Sequence, residues 1–258
     1  MRIINGVIFN LLFNLIQAQI VIDGITCDTS FTVQSAFRKE VKSRPFIRIA
    51  TVEENDKIQC FENIPYLRFN DRKSLKINIY RPKDDNRYPA LLMIHGGGWS
   101  SGNLNLQIPM AREIATRGYI TIPVEYRLSP EAKYPAALHD LKAAVRWIRE
   151  NAELYHIDTA RIAGSGCSAG GQLASLIGAT NGQKAYEGDM GNKSFTSLVH
   201  AVINIDGSLD FTNKDGIERV SSDLEKGKLP ASVRWLGATI DQRSDIWIAA
   251  SPLFQVSC

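Results

Sequence analysis

Histidine and cysteine are both scarce in this 258-residue chain, with four of each. Cys27, Cys60, Cys167 and Cys258 form no C-x-x-C pair and sit beside no paired histidines, so the spacing excludes a zinc-finger-like metal site. Charge of one sign is also lacking. The 30 Lys+Arg against 27 Asp+Glu leave a net charge of +3 without a long basic run, which excludes a clustered nucleic-acid-binding face. No repeat of fixed period occurs, and 19 Gly and 10 Pro without periodicity exclude collagen-like and low-complexity chains. What is present is ordinary: 44% hydrophobic and 22% charged residues, the composition of one sizeable globular domain.

The N-terminal apolar stretch, residues 3–18, is shorter than the roughly 20 residues that span a bilayer. Asn5, Asn10 and Asn14 interrupt it, and stable membrane insertion is not expected. Arg2 followed by this stretch and Ala18 has the layout of a secretory signal, which implies a secreted or periplasmic protein. A first amphipathic helix of the mature chain is the alternative. Export would permit a Cys27–Cys60 bridge, one of three possible pairings.

Farther along, apolar patterns alternate between periods. Residues 75–80 alternate as a strand, and 89–95 form a continuous apolar run suited to a strand buried on both faces. A helix is expected over 109–117, a strand over 119–126, and a helix over 135–150 with Leu138, Leu141, Val145 and Ile148 on one stripe. A short strand over 161–165, a small-residue helix over 169–180, a strand over 199–205 and a last helix over 242–250 follow. Residues 208–237 read as an excursion over the sheet. Strands alternating with helices predict an α/β fold with a mostly parallel, doubly wound sheet.

Two motifs carry chemistry. Gly166-Cys167-Ser168-Ala169-Gly170 is a G-x-S-x-G between a strand and a helix, the context in which a serine is held on a tight, strained turn. A second match, Gly98 to Gly102 around Ser100, has no helix directly after it, so Ser100 is rejected as a nucleophile. That match overlaps His95-Gly96-Gly97-Gly98-Trp99, whose triple glycine can turn amides toward one point and form an oxyanion hole. Cys167 is expected to be a small packed residue facing away from the turn.

HGGGW at 95–99, PVEYRLSPEAKYPAALHDLKAAVRWI at 123–148 and GSGCSAGGQLA at 164–174 resemble the α/β-hydrolase fold. They are most similar to its hormone-sensitive-lipase-like and feruloyl/acetyl esterase branches, over about residues 67–252. The resemblance implies a serine carboxylic-ester hydrolase without a cofactor, acting on acetyl or feruloyl esters of carbohydrates. Ser168 would be the nucleophile, Gly97, Gly98 and Ala169 the oxyanion donors, and Glu125, Tyr126, Arg127 and Pro135 scaffold. The layout is then a signal over 1–18, an N-terminal segment over 19–64 and the hydrolase domain over 65–258.

Such an enzyme also needs a histidine base and a carboxylate, in chain order Ser, acid, His. His95 belongs to the glycine loop, His139 is expected on a solvated helix face, His156 precedes a strand and His200 stands at the start of one, both at the wrong end of a sheet whose site lies at the carboxyl edge. None fits as the base. Asp206, with Asp210 next, is the candidate acid, or else an aspartate that shapes a turn with Gly207. The family carries two further strands after a helix like 242–250, so the sequence reads as cut short and the fold as lacking its last two strands. A catalytically incomplete or non-enzymatic binding protein is the rival reading, and a serine peptidase of the same fold the third.

Overall fold

The computed structural model describes residues 21–22, 25–26, 32–52, 54–70 and 73–256. The export signal read over 1–18 and the Cys27 half of the expected bridge lie outside the described residues, and Cys60 is a free thiol. Two short strands, β1 (Val21–Ile22) and β2 (Ile25–Thr26), pair antiparallel ahead of helix α1 (Val33–Glu40). The main sheet holds β3 (Ile58–Arg68), β4 (Ser74–Pro82), β5 (Tyr88–Ile94), β6 (Ile120–Val124), β7 (Ile157–Cys167) and β8 (Ala201–Ile205). Their order is β3-β4-β6-β5-β7-β8, with β3 and β4 antiparallel at one edge and β6, β5, β7 and β8 parallel. β3 runs across the boundary expected between residues 64 and 65, so the sheet already begins at Ile58.

Two apolar layers explain the patterns. On β5, Leu91 and Met93 pack with Ile58, Tyr80 and the α2 (Ile108–Ala115) residues Ala111 and Ala115. Ala90, Leu92 and Ile94 face the other way, into the larger core built with α3 (Ala136–Glu150) and α5 (Ala169–Ala179). A strand covered on both faces has no reason to alternate, which is why 89–95 reads as one apolar run. The α3 stripe is fully buried as expected, at 0% exposure for Leu138, Leu141, Val145 and Ile148. The opposite face of α3 is buried too, although it is charged: Asp140, Lys142 and Arg146 are among the most enclosed side chains.

Asp140 receives the Arg127 backbone N–H at 3.0 Å and a two-pronged guanidinium contact, with Nη2 at 2.7 Å from Oδ1, so Arg127 is scaffold. Lys142 Nζ donates to Glu187 Oε1 (2.9 Å) and the Thr180 carbonyl (3.0 Å), while Arg146 donates to Glu187 Oε2 (2.6 Å) and the Met190 carbonyl (2.6 Å). His139 is half-buried against Gly188, rather than solvated, and its Nε2 is enclosed without a partner among the described residues. Burial lowers its pKa.

After α4 (Ala152–Tyr155), β7 starts at Ile157, four residues before the expected strand, and pairs with β5 as far as Gly166, with a register shift between Asp158 and Ile162. The 208–237 region is more than an excursion. α6 (Lys214–Glu225) buries no residue, but α7 (Ala231–Leu236) inserts Val233, Trp235 and Leu236 into the core, and α8 (Ser244–Ala249) adds Trp247. Trp235 stacks on Trp99 at 4.7 Å and 7°. No helix among the described residues is long and apolar enough to cross a membrane.

Among the described residues β8 pairs on one side only, with β7, and carries Val202, Ile203 and Ile205 at 38–48% exposure. An unpaired apolar edge of this kind templates self-association. Ile203→Lys is expected to lower the light scattered by concentrated protein, with the melting temperature unchanged; undiminished scattering would place the sticky surface elsewhere.

Candidate active site

In the sheet order, β6 and β7 lie on opposite sides of β5. That reversal opens a crevice at the carboxyl ends of β5 and β7, the place where open α/β sheets bind ligands. Both motifs lie there. β7 ends at Cys167, and Ser168 turns the chain into α5 at φ 55°, ψ −121°. For a residue with a side chain this is a strained conformation, costing about 1–3 kcal/mol, and the surroundings hold it. The Ser168 N–H donates to the Ile205 carbonyl at 2.8 Å and its carbonyl accepts from Gln172 N–H at 3.0 Å. Glycine is required on both sides. A Cβ on Gly166 would lie 2.3 Å from the Gly170 carbonyl carbon, and one on Gly170 would lie 2.2 Å from the Ile94 carbonyl oxygen. The Ser168 side chain is exposed, and its hydroxyl has no hydrogen-bond partner among the described residues.

The glycine loop lies directly against this turn. A Cβ on Gly96 would reach Ser168 Cβ at 3.4 Å. Gly97 stands at φ 123°, where its carbonyl accepts from Ser100 N (3.2 Å), Ser101 N (3.1 Å) and Ser101 Oγ (2.8 Å). With the carbonyl occupied inward, the N–H groups of Gly97 and Gly98 donate to nothing among the described residues, and neither does that of Ala169 at the first turn of α5. Three unengaged donors and an exposed hydroxyl meet at one edge of the sheet.

A cleft of about 670 Å³ opens over them, with walls from Gly96–Gly98, Ser100, Ser101, Cys167, Ser168, Arg234 of α7, Val33 and Ala36 of α1, and Leu106 and Gln107 of the 3-10 turn Leu104–Gln107. Cys167 is therefore exposed on the cleft rather than packed. Ser100 is buried, with Arg234 Nη1 donating to its Oγ at 3.3 Å. Gln107, Arg234 and the α1 residues carry no sequence signal that would have marked them as cleft walls.

Behind the walls, Gln172 ties the parts together. It is fully buried, accepts from Trp99 Nε1 at 3.0 Å and donates to the Ala250 carbonyl at 2.9 Å. His95 braces the loop from below. Its ring stacks on Tyr126 at 4.4 Å, and Tyr126 Oη donates to the His95 carbonyl at 2.9 Å. Burial pushes the His95 pKa down to about 4, so the imidazole is neutral at neutral pH. Between pH 6.5 and 4 the unfolded chain takes up a proton at this position that the folded chain refuses, so stability falls as pH drops through that window. His95→Gln is expected to flatten this acid slope in melts from pH 7 to 4; an unchanged slope would show that other groups set it.

None of the four histidines is among the cleft walls. His200 sits at the start of β8, hydrogen-bonded to the Ile162 backbone, and His156 Nδ1 lies 3.0 Å from the Asp85 carbonyl. Asp206 follows β8 at φ 57°, one residue beyond the carbonyl that holds Ser168, exposed and off the cleft wall. Asp210 is occupied by its own turn, accepting from Thr212 N and Oγ1 at 2.7 Å each.

Residues 77–258 match the family model described as BD-FAE. The Mycobacterium tuberculosis protein called Esterase LipC is 30% identical over 194 residues, covering 73% of this chain and 46% of its own length. This chain thus spans less than half of that relative. A bifunctional GH43-CE protein of Bacteroides eggerthii superposes with a TM-score of 0.65 at 30% identity, covering 77% of this chain and 29% of that one. A truncated form of a carbohydrate esterase from gut microbiota gives 0.62 at 26% identity, over 80% and 76%. The fold, the elbow with its glycine loop and these likenesses agree, and the chain belongs to the BD-FAE family of α/β-hydrolase esterases.

Proposed function

We propose that this chain carries the ester-cleaving site of a serine hydrolase acting on acetyl or feruloyl esters of carbohydrates. The observation behind this reading is the exposed Ser168 hydroxyl beside the unengaged N–H groups of Gly97, Gly98 and Ala169. Ser168 Oγ bonds to the ester carbonyl carbon as its proton passes to the histidine base that this reading requires. The carbonyl oxygen gains negative charge, and the three N–H groups take it up. Collapse breaks the bond to the alcohol, which leaves with a proton, and water then releases the acid from Ser168. The carbohydrate ester class draws support from the carbohydrate esterase likeness. Asp206 stands as the acid of this proposal together with a histidine that the described cleft does not hold. Export through residues 1–18 accompanies the proposal.

The absence of histidine from the cleft wall favours a second reading, a protein that binds such esters without turning them over. Prolonged incubation with an activated acetyl ester, followed by peptide mass mapping, separates the two. An acetyl group on the Ser168 peptide, absent from Ser168→Ala, is expected. Acetylation confined to lysines would leave only binding.

A further inference from the structure

Gln107 is 7% exposed, yet its carboxamide has no hydrogen-bond partner among the described residues. It stands at the N-cap position of α2 but does not cap the helix. It lies instead on the cleft wall that includes Gly97, Gly98 and Ser168. Its nitrogen and oxygen are not fully enclosed, so they keep access to solvent on a residue that lines the cleft, where a ligand can take the place of water. We propose that Gln107 is a specificity-determining residue that reads vicinal hydroxyl groups on the ester substrate. This rests on the ester-binding reading of the cleft.

The chemistry of the amide selects the ligand class. A carboxamide offers one acceptor oxygen and two donors in one plane. A hydroxyl both donates and accepts, so two neighbouring hydroxyls match the oxygen and the NH2 group together. A carboxylate can only accept and would leave the amide oxygen unmatched, and an alkyl group matches neither. A site built to hydrogen-bond hydroxyls discriminates against analogues that lack them, because its own polar group is then stranded. Leu106 beside it offers only apolar contact, so on the 3-10 turn the reading of hydroxyls falls to Gln107.

The test is a titration of the full chain, followed by amide NMR, with methyl β-D-xylopyranoside and with cyclohexanol, a ring of equal size without vicinal hydroxyls. Shifts of the Gly97, Gly98 and Ala169 amides are expected with the xyloside. Gln107→Met is expected to weaken xyloside binding about five- to tenfold, the size of one or two hydrogen bonds, and to leave cyclohexanol unchanged. Gln107→Glu keeps acceptor oxygens at the same reach and should hold xyloside binding within about twofold. Unchanged xyloside binding in a folded Gln107→Met, or equal loss for both ligands, overturns the assignment while the cleft stands. Failure of either ligand to move the Gly97 and Gly98 amides of the unsubstituted chain overturns the cleft reading as well.

Discussion

With 4-nitrophenyl acetate, the 258-residue chain is expected to work at no more than about 10³–10⁴ times the spontaneous rate, and Ser168→Ala should leave that rate within a few-fold. A serine hydroxyl is a poor nucleophile until a neighbouring base takes its proton, and no histidine lines this cleft. The unengaged amide donors are still in place, however, and on the proposed reading donors of this kind stabilise a tetrahedral intermediate whichever oxygen attacks. The residual rate should therefore depend on the glycine loop instead of the serine. Gly97→Ala puts a Cβ 2.2 Å from the Ser101 carbonyl oxygen at a φ of 123° and must displace the loop. Each donor lost in this way is worth about 10²–10³ in rate, which returns the reaction close to background. Fast turnover that vanishes in Ser168→Ala would instead reveal a proton acceptor within reach of the hydroxyl.

The largest expected loss of stability comes from Glu187→Gln, at about 3–5 kcal/mol in chemical denaturation. Lys142 and Arg146 are enclosed at 0% and 2% exposure, and both lean on this one carboxylate. Burial pushes the Lys142 and Arg146 pKa values down, against the pull of Glu187. Burial alone would raise the Glu187 carboxyl, but hydrogen bonds from Ser197 and Lys142 and the two positive charges outweigh it and hold the pKa below the usual range. Removing the carboxylate strands two cations in the interior. Because folding then favours the neutral form of Lys142, the unfolded chain holds more protons, and stability of the variant should recover in part as pH rises toward 10. A loss below about 1 kcal/mol, flat with pH, would mean that water reaches the cluster.

The edge that carries both motifs was legible because its backbone geometry demands particular local residues. Only glycine fits at 166 and 170, where an added Cβ would come within 2.3 Å of backbone atoms, and only glycine is at ease at 97. Such constraints leave a mark in sequence wherever they occur. The strands of the core were legible through two-sided burial. Other features have no local signature. Lys142 and Arg146 look like the solvated face of an amphipathic helix until the segment around Glu187 folds over them. The exposure of Cys167 comes from its place on a cleft whose other walls are distant in sequence, and α7 reads as charged coil because its buried residues number only three. Gln107 resembles any surface glutamine, since its meaning comes from a wall contributed by residues distant in sequence.

The bridge through Gln172 has a consequence for biogenesis. It joins Trp99 to a carbonyl at residue 250, so its two ends are separated by most of the described chain. A ribosome must have synthesised nearly all of these residues before that clamp can close. Until then the glycine loop lacks its tether, and a growing polypeptide has no finished groove to offer a passing ester.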